Sequence, residues 1–122
     1  MPPERDPRGF LPLTPAVFHV LLALAGVERH GYGIIQDVTA ATDGAVTLRT
    51  GTLYTILKRL LEEALIVESD RRPGPDEDDE RRRYYALTPL GRRVAQAEAQ
   101  RLEQVVGLAR ARRMLSAKGG GR

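Results

Sequence analysis

Cysteine is absent from this 122-residue chain. Its absence excludes disulfides, cysteine-ligated zinc and a thiol nucleophile, and it removes the compositional mark of an oxidising compartment. Tryptophan is absent too, and aromatic residues make up only 5% of the sequence, so any packed interior has to be aliphatic. Long uninterrupted apolar runs are also missing. The most hydrophobic stretch, FLPLTPAVFHVLLALAG, is broken by Pro12, Pro15 and His19, which makes it too short and irregular for a membrane span. It imitates an export signal, with two arginines before it and Ala23-Leu24-Ala25 resembling a cleavage site. Glu4 and Asp6 in the would-be positive region argue against that reading. A cytoplasmic chain with no membrane role is expected.

What is present is the composition of a small folded protein: 42% hydrophobic and 29% charged residues, with a formal net charge of +3. A basic balance favours an anionic partner, nucleic acid or a membrane surface, although mild basicity is common.

The pattern along the chain gives mainly α structure with a small β-hairpin. Residues 1–12 read as a flexible N-terminal arm rich in proline and charge. Thr14-Pro15 is a helix start, threonine capping and proline in the first turn. The helix it opens runs to about Val27 and is apolar nearly all round, so it is expected to be covered on two sides, by its own core and by a second copy. A second helix spans Tyr32 to Ala41. TDGAVTLRTG follows as a turn, with room for a very short strand at Val46 to Leu48. Thr50 can cap a third helix that ends near Glu63. Leu65 to Ser69 reads as a strand, RRPGPDEDDE as a loop and RRRYYAL as the returning strand, so a hairpin, or wing, comes after the helix-turn-helix. Thr88-Pro89 repeats the cap-plus-proline start, and a long helix is expected to about Leu115. Residues 13–87 then form a winged helix-turn-helix domain, 88–116 a C-terminal dimerisation helix and 117–122 a flexible tail.

The third helix carries the functional signal. Leu53, Ile56, Leu57, Leu60 and Ala64 share one side. The other side presents Thr52, Tyr54, Thr55, Lys58 and Arg59 in its first turns. Lysine and arginine neutralise phosphates or reach guanine N7 and O6, and hydroxyls bond phosphates or base edges. Gly51 lets the backbone at the helix start approach a phosphate. An ordinary surface helix also carries charge outside; the helix-turn-helix-wing order is what favours DNA. Arg81, Arg82 and Arg83 sit at the wing base, where alternation sends Arg82 away from its neighbours. They compete with Asp76 to Glu80 at the tip, whose acidity would be repelled by a phosphate backbone. In the fourth helix Ala95, Ala99, Leu102, Val106 and Ala109 keep a four-then-three spacing, a coiled-coil-like seam. With Phe18 and Leu22 of the first helix they are the candidate dimer contacts.

Other residues have plainer readings. His19 is expected to be buried with a hydrogen bond. His30 precedes a glycine turn, and with no third ligand near the two histidines a metal site is not expected. Gly31 and Gly33 lack the preceding strand of a nucleotide loop. The arginines on the outside of the fourth helix suit a solvated face. No catalytic constellation is visible, and no metal or cofactor is called for.

LTPAVFHVLLALAGVERHGYGI, GTLYTILKRLLEEALI and RRRYYALTPLGRR resemble, in order and spacing, the three blocks of PadR-type transcriptional regulators. The resemblance spans about residues 10 to 116. It implies a dimeric winged helix-turn-helix that binds double-stranded DNA, here with a single C-terminal dimerisation helix. It also implies that Thr52, Tyr54, Thr55 and Lys58 lie on the recognition helix, that Tyr32 touches phosphate, and that a small-molecule effector of unspecified identity acts between subunits. Two-fold symmetry implies a near-palindromic operator with half-sites about 34–36 Å, or a multiple, apart. One departure stands out: position 64 is alanine where the family usually has the glycine of a left-handed helix stop. The acidic wing leaves a second reading, a dimeric winged-helix adaptor that does not bind DNA specifically.

Overall fold

The structure, a computed structural model, describes residues 5–69 and 83–116. It contains α1 (Pro15–Ala23), β1 (Arg29–His30), α2 (Gly31–Ala41), α3 (Thr50–Glu62), β2 (Ile66–Glu68), β3 (Tyr84–Leu87) and α4 (Pro89–Ala111). The mainly helical class with a small antiparallel sheet is as expected.

Local chemistry sets most of the helix starts. Thr14 accepts from the Val17 N–H and Thr88 from the Gly91 N–H, each with proline in the first turn. His30 caps α2 through Nδ1, which accepts from the Gly33 N–H at 3.0 Å. The start of α3 differs from expectation. Thr50 lies inside the first turn, and Arg49 occupies the cap position with no side-chain hydrogen bond.

Two helix ends and the place of the third strand differ from expectation. The apolar run of α1 ends at Ala23 rather than near Val27, because the Leu24 and Ala25 N–H groups swing back to Leu21 and Leu22 in a tighter turn. No strand forms at Val46 to Leu48. Thr42 accepts from the Val46 N–H and donates to the Val38 carbonyl, curling the segment so that Leu48 plugs the core. The third strand is β1, which pairs Arg29 with Tyr85 and His30 with Tyr84, giving the order β1-β3-β2. Finally, α4 stops at Ala111, short of Leu115, so its 23 residues span about 34 Å.

The core is aliphatic. Val20, Leu21, Ile34, Leu53, Leu57, Leu60 and Val94 are sealed from solvent, bringing α1, α2, α3 and α4 around one centre. Removing such side chains from water, at about 1.5–3 kcal/mol each, is the main stabilising contribution. Arg29 binds three elements together: its guanidinium donates to the Ala23 carbonyl at the end of α1 and pairs with Asp37 of α2 at 3.2 Å.

The arm was expected to be loose. Within its described part, residues 7–10 instead form a 3-10 turn packed on α4. The anchor is Glu98, which is 2% exposed. Its carboxylate accepts from the Leu13 N–H at 3.2 Å and from Arg101 at 2.6 and 3.0 Å. These bonds, that to Arg101 foremost, hold the carboxyl below the ordinary glutamate range against the opposing effect of burial.

Candidate nucleic-acid interface

Amphipathicity orients α3. Leu53, Leu57 and Leu60 point inward, and Gly51, Thr52, Tyr54, Thr55, Lys58 and Arg59 are exposed on the far side. Tyr32, in the first turn of α2, is 61% exposed. The first turn of α3 leaves N–H groups without intrahelical acceptors. They have no side-chain cap and no acidic residue beside them. Aligned peptide dipoles add positive potential there. The result is a surface receptive to anions.

The polar atoms on this face are not equally available. Thr55 Oγ1 donates to the Gly51 carbonyl at 3.0 Å, so its proton turns back into the helix and only its lone pairs face out. Arg59 reaches Glu63 at 3.5 Å, one turn away. The pair is exposed and therefore weak, so Arg59 can be drawn off by a stronger anion. Lys58 has no ionic partner among the described residues. Tyr54 is partly committed to packing: a methyl group on Gly31 would come within 2.7 Å of its hydroxyl, so the phenol lies across the start of α2. A side chain at position 31 would push the exposed phenol aside.

At the wing, Arg83 is exposed and pairs with Glu68 at 3.4 Å across β2 and β3. Arg81 and Arg82, and the acidic tip from Asp76 to Glu80, lie outside the described residues. Tyr85 is buried beneath this corner. Burial first, then electrostatic interaction with neighbouring Tyr54 and Glu68, pushes its phenol above the ordinary tyrosine value, with Arg83 opposing.

Sequence reasoning passed over Arg49. It is exposed, sits immediately before α3 and has no ionic partner among the described residues. The available signal was its position one residue before the expected cap. His30 and Gly31 were also undervalued, since their work is local capping and the seating of Tyr54. His19 is half-buried beside Phe18 and makes no hydrogen bond among the described residues, contrary to expectation.

The candidate dimer residues fall on two neighbouring elements. On α1, Phe18 is half-buried and Leu22 exposed. On α4, Ala95, Val106 and Ala109 are half-buried, and Ala99 and Leu102 exposed. Val105 and Leu108 are exposed as well, extending the apolar surface of α4 towards its C-terminus. Among the described residues no helix is long and apolar enough to cross a membrane.

A model of the transcriptional regulator PadR-like family matches residues 20–97. An uncharacterised protein of Lysinibacillus sphaericus is 30% identical over 73 residues, 60% of this chain, and the chain covers 64% of that relative's length. A Streptococcus transcriptional regulator of known structure superposes with a TM-score of 0.65 at 26% identity, covering 80% of this chain and 91% of that one. Bacillus subtilis PadR, solved in complex with operator DNA, superposes with a TM-score of 0.58 at 22% identity, over 75% of this chain and 48% of that one. At that identity the likeness is one of fold.

Proposed function

The chain belongs to the PadR-like family of transcriptional regulators, and from that premise we propose that it is a cytoplasmic, homodimeric repressor that binds operator DNA through α3. The carrying observation is the uncapped, acid-free first turn of α3, with exposed Arg49 before it, Gly51 and Thr52 at its tip and exposed Lys58 about two turns along the helix. Anionic phosphate is the natural occupant of such a helix end. A further support is that the similar fold of Bacillus subtilis PadR was solved with operator DNA.

In this reading α3 enters the major groove with Thr52, Tyr54, Thr55 and Lys58 near base edges or phosphates. Tyr32 and Arg59 contact the backbone, and Arg81, Arg82 and Arg83 reach it from the wing base. Phe18 and Leu22 join Ala95, Ala99, Leu102, Val106 and Ala109 in the dimer contact, and α4 sets the spacing between recognition helices. A two-fold dimer reads a near-palindrome. Response to a small-molecule effector is part of the reading through the family, with no residue of this chain assigned to it.

The test is binding of Lys58→Ala/Arg59→Ala to the DNA upstream of the chain's own gene, titrated by anisotropy at several salt concentrations. Affinity should fall roughly tenfold or more, and the log–log salt slope should shrink by about four, two for each protomer of the dimer, if both cations face phosphates. Unchanged affinity and slope would remove α3 from the interface. The acidic run Asp76 to Glu80 favours the second reading, a protein-binding adaptor. Failure of the native protein to be retained on heparin or random duplex DNA would support it.

A further inference from the structure

Two bonded points fix the direction of α4. The first is its start. The Thr88 hydroxyl donates to the Ala64 carbonyl at 2.7 Å, the Thr88 N–H donates to the Leu65 carbonyl at 3.1 Å, and Gly91 lies against the Leu65 backbone. These contacts hang α4 from the stop that ends α3. A single point of attachment is a pivot and leaves the angle free. The second point is Glu98, about 10 Å along the helix from Gly91. Its buried carboxylate accepts from the Leu13 N–H and from Arg101.

Leu13 ends an arm that crosses back to α3. Across a gap of about 60 Å³, Phe10, Pro12 and Leu13 face Arg59 and Leu60 of α3 and Glu63 just beyond it. The Arg5 guanidinium lies over the Phe10 ring, 5.3 Å from its centroid, and donates to the Glu63 carbonyl. The end of α3, the start of α4 and Glu98 are therefore three corners of a triangle, and the arm braces it. α1 and β3 also pack on α4, whereas α3 itself has no more than marginal contact with it. Apolar packing is non-directional; hydrogen bonds to a carboxylate are directional. A leucine of similar size would bury at position 98 without the desolvation cost of a charge. What the carboxylate adds is direction.

We propose that Glu98 is a positioning residue for operator binding: by holding Leu13, and through it the arm, it fixes the angle of α4 against the recognition helix and so sets the half-site spacing that the dimer accepts. The proposal rests on the α3 interface and the α4 homodimer proposed above. The lever is long enough to matter. With the pivot at Gly91, a slack of about 1 Å at Glu98 becomes about 1.6 Å at Leu102 and about 3 Å between two recognition helices, close to the rise of about 3.4 Å for one base pair.

The cysteine-free chain allows a direct distance measurement. Glu62→Cys places one nitroxide label at the exposed end of α3 in each protomer, and pulsed electron paramagnetic resonance reads the distance between the two in the free dimer. A single narrow distribution is expected with Glu98 in place, and a broad or shifted one with Glu98→Leu. Unlabelled proteins are titrated with the DNA upstream of the chain's own gene, and with copies carrying one base pair inserted or removed at the centre of the footprint. The native protein should bind those copies at least about tenfold more weakly, and Glu98→Leu should discriminate by no more than about threefold. Glu98→Gln keeps an acceptor for Leu13 and should discriminate as the native protein does; a Gln variant no better than the Leu variant overturns the inference. Arg5→Ala severs the far end of the brace at the surface, leaves the core intact, and should relax discrimination in the same direction. Native distances and native discrimination in Glu98→Leu, or in Arg5→Ala where Glu98→Leu does not fold, overturn the inference and leave the α3 and dimer reading standing. A native protein that sediments as a monomer, or binds the upstream DNA no better than random duplex, removes that reading and the inference with it.

Discussion

Ala64→Gly should make the protein more stable, although it deletes a methyl group. Ala64 follows α3 with φ at 60°. The surrounding bonds form a complete left-handed helix stop: the Leu65 N–H donates to the Leu60 carbonyl at 2.9 Å and the Ala64 N–H to the Leu61 carbonyl at 3.1 Å. The geometry is pinned from outside, since the Thr88 hydroxyl donates to the Ala64 carbonyl at 2.7 Å and Arg5 reaches the Glu63 carbonyl. The backbone therefore cannot relax to suit alanine. The side chain itself is exposed, so its removal leaves no cavity. A side chain in this conformation costs about 1–2 kcal/mol, and glycine returns about 0.5–1 kcal/mol of that through greater freedom in the unfolded chain. The net gain is about 0.5–1 kcal/mol. An unfolding entropy of about 0.26 kcal/mol/K for a chain of this length converts it into a rise in melting temperature of about 2–4 °C. Circular dichroism melts of both proteins at one matched concentration measure it, matched because association shifts the midpoint. A fall in melting temperature would mean that residue 64 is not left-handed in the native state, and the account of how α3 ends would be wrong.

Three further substitutions probe other joints. Gly91→Ala should destabilise by at least about 3 kcal/mol in urea unfolding, since its methyl group would sit 1.9 Å from the Leu65 carbonyl oxygen; Gly107→Ala, with nothing within 4 Å, should instead gain about 0.5–1 kcal/mol, and equal effects would refute the close approach. Glu98 has a folded-state value depressed below 4.5, so its contribution is complete above that value and lost as pH falls through the lower folded one. Glu98→Gln should flatten the acid limb of the stability–pH curve, and an unaltered limb would place the carboxylate outside the ion pair. His30→Ala should cost about 1–2 kcal/mol, from the lost cap on Gly33 and the edge-to-face contact with Tyr84 at 5.3 Å. His30→Asn should recover the capping share only; no recovery would argue that the ring packs without capping.

The parts of the fold legible in the sequence are those decided within a few residues. Thr14-Pro15 and Thr88-Pro89 announce their helices because cap and proline act on the turn they begin. The inner stripe of α3 follows from its period. What escaped depends on contacts distant in the chain. Val46 to Leu48 has strand-like residues, but β3 already has β1 on one edge and β2 on the other, so no edge of β3 is left for it. The strand that does form, Arg29–His30, is two residues long and carries no alternation to read; its pairing with Tyr84 and Tyr85 defines it. The arm looked loose because its anchor, Glu98, lies 85 residues away from Leu13.

The functional face shows the same division one level down. Periodicity settles which side chains of α3 point outward, and that expectation holds for Gly51, Thr52, Tyr54, Thr55, Lys58 and Arg59. It says nothing about which polar atoms remain unspent. Thr55 turns its proton to Gly51, Arg59 leans on Glu63, Arg83 on Glu68, and Tyr54 lies over Gly31. Subtracting these leaves Arg49 just before α3, the uncapped N–H groups of its first turn, and Lys58 two turns further along the same helix. On this face the positive charge free to meet an anion thus lies along α3 and the residue before it, and Arg83 at the wing base begins partly neutralised. A ligand held by this surface would be held first by the end of a helix, where backbone dipoles are fixed in place and need no reorganisation, and only then by flexible side chains at the wing.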